Sequence, residues 1–470
     1  MTPGRPSGSR GQALALGMFF LFGAAGILYF MFNTGQTVDE KIRLTNAADA
    51  AAYSAATLEA RALNYDAYVN RAMVANEIAI AQMVSLVSWL HYTGRLIDNA
   101  GALGSIASTW LFDDPVAVAQ LAGVAGASWY ADLLSGNQGV AVLLDFTDHL
   151  LAPAVITAHN AAVVALSASQ SALHASLLAG IAQRSLADEV AKRIDPAMTA
   201  EVVLTSYDFD GFTKSYAKNG GGGDERGRFA DVTSRSRDPF TRERDWTISG
   251  PTILLVQKDV ALKRRGGTDL VGYDEWRAMD TLEHHGQRFG CGKFGLDWCG
   301  DVQQSVAWGA AEVDAGEGDQ GHGYHGGSYA ENSRTSKKHA DPEMVRLNGL
   351  GAVFSGLPDS RDAANLDPSA DLRTGITIRV SKPRGALRTS GGASIIQPSG
   401  RLAQFAASAP GGEIAALSRA VVFFERPVAR ADGQEELASL YNPYWQVRLV
   451  AATAADRAYA AARQGGLALP

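Results

Sequence analysis

ALALGMFFLFGAAGILYFMF, Ala13 to Phe32, contains no charged residue and no proline. At 1.5 Å per residue, roughly 20 apolar residues in a helix span the hydrocarbon core of a bilayer. The preceding residues 1–12 carry Arg5 and Arg10 and no acid. Positive charge beside a span is retained on the cytoplasmic side, so the long remainder is expected to cross the membrane. A cleaved secretory signal is the competing reading. Its apolar core is normally about 7 to 15 residues, followed by a small-x-small site. The exit here, Phe32-Asn33-Thr34-Gly35, is a poor cleavage site, which favours a retained anchor.

Downstream of the span, no Pro or Gly interrupts Thr37 to Thr93, and alanine, the best helix former, is abundant. Tyr65, Val69, Ala72, Asn76, Ile80, Met83, Val87 and Leu90 recur at i+3/i+4, which predicts one apolar helix stripe. The expectation is a membrane helix running on into a long extracytoplasmic one, with room for a bend at Asn33 to Gln36. Ile78 to Tyr92 and Ala152 to Ala182 compete as second spans. Each holds Gln, Ser or His, and such groups cost free energy in lipid unless paired, so packed soluble helices are favoured. His91, His149, His159 and His174 are then polar residues in or beside helix interfaces, too scattered for a metal site.

Alanine dominates the first half, whereas Gly, Arg and Asp rise after about residue 205. The expected class is α+β, with a single N-terminal transmembrane helix leading into a mixed β-containing extracytoplasmic domain. The boundaries this predicts are a tail at 1–12, the span at 13–32, a helical bundle at 33–204, an α+β domain at 205–450 and a C-terminal helix and tail at 451–470. Strands are expected at Thr252–Gln257, Ile376–Val380, Val421–Glu425 and Gln446–Ala451, and mobile loops at 219–245 and 314–341.

The net charge of −7 excludes nucleic-acid binding as the main task, because wrapping a phosphate backbone needs a basic face. Six arginines between Asp224 and Asp245 are matched by six acids. Cys291 and Cys299 are the only cysteines, with two glycines between them. Outside the cytoplasm they favour a disulfide, which would stabilise by roughly 2 to 3 kcal/mol in the chain-entropy picture. Zinc with His284 and His285 is the alternative, at a spacing that matches no common motif. His322 and His325 sit in a glycine-rich stretch without a third ligand, and Asp367, Ser369 and Asp371 lack the strand that an adhesion-type ion site needs. There is no nucleophile elbow, phosphate loop or H-E-x-x-H, so no catalytic, cofactor or metal residue is expected.

Arg10-Gly-Gln-Ala-Leu-Ala-Leu, the span, and Leu44-Thr-Asn-Ala-Ala-Asp-Ala-Ala-Ala-Tyr-Ser-Ala-Ala together resemble the TadE/TadG-like family of Flp (tight-adherence) pilus-assembly proteins over residues 9–57. The resemblance implies a bacterial inner-membrane protein, N-terminus cytoplasmic and bulk periplasmic, with pilus or secretion machinery proteins and membrane lipid as partners. It implies a non-enzymatic role through protein–protein interaction. Processed pilins of that kind carry Glu five residues after the cleaved glycine, whereas the residue five after Gly11 is Leu16. Asn46 and Asp49 lie one helical turn apart and can face one partner or simply be solvated. A membrane-anchored enzyme or ligand-binding protein with its site in 205–450 is the alternative reading.

Overall fold

The computed structural model describes residues 10–99, 137–177, 180–203, 209–216, 227–250, 257–291, 297–298, 300, 302–315, 327–364, 372–388 and 412–463. The helical half comprises α1 (Arg10–Asp98), α2 (Asn137–Phe146), a π-helical turn (Thr147–Leu151), α3 (Ala152–Leu177) and α4 (Ile181–Ile194). Then come β1 (Thr199–Val202), α5 (Gly227–Arg235), α6 (Pro239–Arg242), β2 (Trp246–Ser249), β3 (Gln257–Val271) and β4 (Glu275–Cys291). They are followed by β5 (Gln304–Asp314), α7 (Gly327–Glu331), β6 (Val345–Arg346), β7 (Arg373–Pro383), β8 (Glu413–Phe424), β9 (Trp445–Val450) and α8 (Ala454–Arg463). The α+β class holds.

The chain divides into two compact units that interleave along the sequence, unlike the successive blocks that the composition shift predicts. One contains residues Met1–Ala67, Ala172–Lys214 and Asp362–Pro470, and the other Tyr68–Ser171 and Ser215–Arg361. Each takes helices from the Ala-rich half and strands from the other half.

In the first unit, β1, β7, β8 and β9 form an antiparallel sheet in the order β1-β7-β8-β9. Ile376, Ile378 and Val380 alternate along β7 and meet a seam on α1 made of Ala47, Ala48, Ala51, Ala52, Ala55 and Ala56. Alanine has no side chain beyond Cβ, so the helix backbone itself can approach the strands and gain dispersion contacts. Leu44 and Leu63 flank the seam, and Ala187 and Ala191 of α4 complete the core.

In the second unit the sheet order is β2-β3-β4-β5-β6, antiparallel except for the β5–β6 pair. Gly272, with φ +62°, makes the tight turn between β3 and β4, a left-handed conformation that glycine adopts without a Cβ clash. Ile80, Val84, Val87 and Ile156 pack with Trp276, Val313 and Phe354. At Gly309 of β5 the helix comes so close that a Cβ would lie 2.1 Å from the Ser88 carbonyl oxygen.

Several expectations need correcting. Residues 227–242 and 327–340 are largely helical, and Arg244, Ser328, Asn332, Thr335 and Ser336 are buried, so these stretches are not mobile loops. Their charges and hydroxyls find partners inside the fold: Arg237 with Asp269, Arg244 with Asp280, Asn332 with the Lys263 carbonyl. On α1, Tyr65 is exposed and Ala72, Asn76 and Leu90 are only half-buried. The buried stripe is wider and includes Met73, Glu77, Val84 and Ser88. Strands at Ile376–Val380, Val421–Phe424 and Gln446–Val450 are present, whereas β3, β4 and β5 carry charges that hid them from the alternation test. The strand expected at Thr252–Gln257 except Gln257, which opens β3, the polyglycine Gly220–Gly223, His322, His325, Asp367, Ser369, Asp371, and the Cys291–Cys299 pairing fall outside the described residues and side chains.

Candidate interaction surface and a buried polar ladder

The first part of α1 is exposed among the described residues. Leu14, Phe19, Leu28 and Met31 are 70%, 75%, 67% and 65% exposed. A Cβ added at Gly17, Gly23 or Gly26 would meet no atom within 4 Å. Each large apolar side chain left in water forgoes roughly 1.5 to 3 kcal/mol. A surface of this length and composition therefore fits lipid or another apolar helix, and the helix is long and apolar enough to cross a membrane. Val140–Leu177 passes the same test of length and composition, but Thr147, Asp148, Asn160, Gln170 and His174 are buried in it.

The exit from the apolar stretch is unbroken helix. Asn33 Nδ2, Thr34 Oγ1 and Thr37 Oγ1 donate to the carbonyls of Tyr29, Phe30 and Asn33, four residues back in each case. These side chains satisfy themselves on the helix, and no break occurs at Asn33 to Gln36. Asp39 and Arg43 then pair at 3.0 Å.

Beyond this point α1 presents two faces. Inward lie the alanine seam and a set of acids. Outward lie Val38, Ile42, Asn46, Tyr53 and Tyr65, all exposed, with Asp49 half-buried. Asn46 is thus on the exposed face away from the alanine seam, whereas Asp49 is half-buried.

The inward acids are each met by a specific group. In the first unit, Lys382 Nζ donates to Glu40 Oε2 and Asp195 Oδ2, both at 2.8 Å. Burial works against the Lys382 charge, but its hydrogen bonds to Asp195 and Glu40 overcome it and push its pKa above the ordinary value. Gln183 Nε2 donates to Glu59 Oε1 at 3.3 Å. His174 Nε2 lies 2.5 Å from Asp66 Oδ2, and its ring stacks on Phe209.

The second unit continues the pattern. Gln170 Nε2 donates to Asn70 Oδ1, and His159 Nδ1 lies 2.7 Å from Asn76 Oδ1. Trp276 Nε1 donates to Glu77 Oε2 at 3.0 Å. His91 Nε2 lies 2.8 Å from Asp148 Oδ2, which the π-helical turn holds inward. Such pairs fix helix register, because a slip of one turn strands several buried polar groups at once. Three of the four histidines expected at helix interfaces sit there. His149 is exposed, paired with Asp145 on its own helix.

Burial pushes the Glu59 and Glu77 carboxyls up to about 8, and the single hydrogen bonds from Gln183 and Trp276 pull them only partly back. Both are protonated at neutral pH. The unfolded groups ionise near 4.5. Between these values the folded state holds a proton that the unfolded state has lost, so stability falls as pH rises. Glu77→Gln keeps an acceptor for Trp276 and removes the proton. Relative to the variant, the wild type should lose about 1 kcal/mol per pH unit from pH 5 to 8 in denaturant titrations. Parallel pH profiles would contradict a protonated Glu77.

Among the described residues no group of three or more His, Cys, Asp or Glu converges as a metal site requires. Among the described residues, the buried acids of α1 are each met by a lysine, histidine, amide or indole side chain. Neither the curated proteins nor the solved structures give a match. Over residues 11–58, which hold both the apolar stretch and the outward face at Val38 to Tyr53, the chain matches the TadE/G-like Flp pilus-assembly family.

Proposed function

We propose that this chain is a membrane-anchored, non-enzymatic component of a Flp-type pilus or envelope secretion assembly. Lipid surrounds Ala13–Phe32, the N-terminus is cytoplasmic and the bulk is periplasmic. Its partners are inner-membrane and periplasmic proteins of the same machine, and they dock on the outward face of α1. The observation that carries this reading is the placement of the family match. Residues 11–58 coincide with the stretch of α1 whose apolar surface and outward face are exposed among the described residues. Arg5 and Arg10 support the orientation.

Two measurements test it together. Alkaline phosphatase fused after Ala60 should be active, since it folds only outside the cytoplasm; an inactive fusion of normal abundance defeats the topology. Purification from native membranes should bring down pilus platform or pilin subunits. Ile42→Ser with Tyr53→Ser should reduce that recovery severalfold without changing chain abundance. Undiminished recovery removes the docking role from this face.

A further inference from the structure

Among the described residues the sheet of the first unit ends at β9, Trp445–Val450, which pairs there only with β8. The Tyr444 carbonyl accepts from the Glu425 N–H, so residue 444 points its backbone toward β8. By the alternation of an antiparallel ladder, Trp445, Val447 and Leu449 point their N–H and C=O groups the other way. At Trp445 that side is filled. Its N–H donates to Asn64 Oδ1 and its carbonyl accepts from Asn64 Nδ2, both at 3.0 Å. The Asn64 amide from α1 thus stands where one residue of a neighbouring strand would stand. Past it, Val447 and Leu449 have no backbone partner on that side among the described residues.

Natural sheets blunt such an edge with proline, a bulge or an inward charge. β9 has none of these, and its register with β8 is regular. Leu449 lies on the same side of the strand as Trp445 and Val447 and is 44% exposed. On the opposite side Arg448 is exposed, its guanidinium 4.6 Å from the Phe423 ring.

We infer that β9 is a strand-addition site. Its occupant is an extended segment of another protein, apolar at alternate positions on the Leu449 side and acidic on the Arg448 side. Main-chain pairing would give the affinity and the alternate side chains the specificity. A second copy of β9 fits poorly. Antiparallel self-pairing that uses both Val447 and Leu449 centres on Arg448 and sets two arginines directly opposite. Centring on Val447 places Leu449 opposite Trp445, whose groups Asn64 already holds. Centring on Leu449 runs past the end of the strand at Val450, three residues short of the turn into α8.

The test uses the full chain in detergent and a fluorescent seven-residue peptide, Val-Thr-Val-Glu-Val-Thr-Val. Two further peptides replace its Glu by Lys, or its third Val, whose N–H would face β9, by Pro. The Glu peptide should bind roughly fivefold tighter than the Lys peptide, and Arg448→Glu should invert that order. The Pro peptide should not bind. On binding, hydrogen exchange at the Val447 and Leu449 amides should slow by about tenfold. Leu449→Pro removes only an outward N–H and should abolish binding while the Gln446 and Arg448 amides stay protected. If those two amides lose protection, the inversion by Arg448→Glu decides alone. Val447 and Leu449 amides already protected in the free chain would overturn the proposal, since its own residues or a second copy would then occupy the edge. Equal binding of the Glu and Lys peptides would overturn it as well.

Discussion

Asp280→Asn should destabilise the second unit by about 3–5 kcal/mol, measured by denaturant unfolding near neutral pH. Asp280 lies fully buried on β4 and is the one acid between two buried arginines. Arg244 reaches it in a fork, Nε and Nη2 each at 2.8 Å, and Arg264 Nη2 lies at 2.6 Å. Ser88 of α1 adds a hydroxyl at 2.7 Å, and the Arg264 guanidinium sits 3.9 Å from the Tyr92 ring centroid. Glycine at 266 makes room, since a Cβ there would be 2.2 Å from Asp280 Oδ1. An amide at 280 removes the charge and leaves two guanidiniums in a dry interior, which is where breaking a buried pair costs most. Burial alone would raise the Asp280 carboxyl, but Arg244 and Arg264 overcome it and hold the pKa below the ordinary value. With the folded value depressed, the stabilisation is present above the unfolded pKa of about 3.8 and is lost as pH falls through the folded one. The variant should therefore also lose this part of the acid limb. A change under 1 kcal/mol would mean that water reaches the arginines.

Gly309→Ala should cost about 3 kcal/mol or more. The added Cβ would stand 2.1 Å from the Ser88 carbonyl oxygen and 2.4 Å from the Tyr92 nitrogen, both backbone atoms of α1. A flexible side chain could swing aside, but a helix backbone cannot without moving its neighbours. Those neighbours include Ser88 on Asp280 and Tyr92 against Arg264, so the substitution also loosens the ion cluster. Gly300→Ala is the control, with nothing within 4 Å of its Cβ, and should stay within about 0.5 kcal/mol of wild type. Similar melting of the two variants would show that helix and strand are farther apart than the structure places them.

These two positions also show where sequence reading stops. The apolar run Ala13–Phe32, the unbroken helix after it and the strand at Ile376–Val380 are legible because each follows one periodicity. β3 is not, because Lys263-Arg264-Arg265-Gly266-Gly267 has the composition of a loop. Its charges are neutralised by Asp280 and Glu331, 16 and 66 residues further along, and its glycine serves a partner's carboxylate. Likewise β4 holds Asp280, Thr281, Glu283 and His285 in the interior, so polarity no longer alternates with exposure. The acids along α1 look like a solvated face for the same reason. Glu59, Asp66 and Glu77 are buried because Gln183, His174 and Trp276 meet them, and none of those pairings is local. Of the candidate surface, Asn46 and Asp49 were legible as a pair one turn apart. That Asn46 is exposed while Asp49 is half-buried follows only from the alanine seam occupying the other face.

The seam has a consequence for how the chain is made. Ala47 to Ala56 leave the ribosome more than 300 residues ahead of Ile376 to Val380, and Asn64 is separated from Trp445 by 381 positions. The helix is thus synthesised, and anchored if the span inserts, long before the strands that cover it exist. During that interval a row of bare alanines and unpaired acids is presented to whatever is nearby, including the outward faces of identical nascent helices. A chain that stops before Arg373 lacks three of the four strands of that sheet, so premature termination leaves the alanine seam of α1 uncovered although every residue of the second unit has been made.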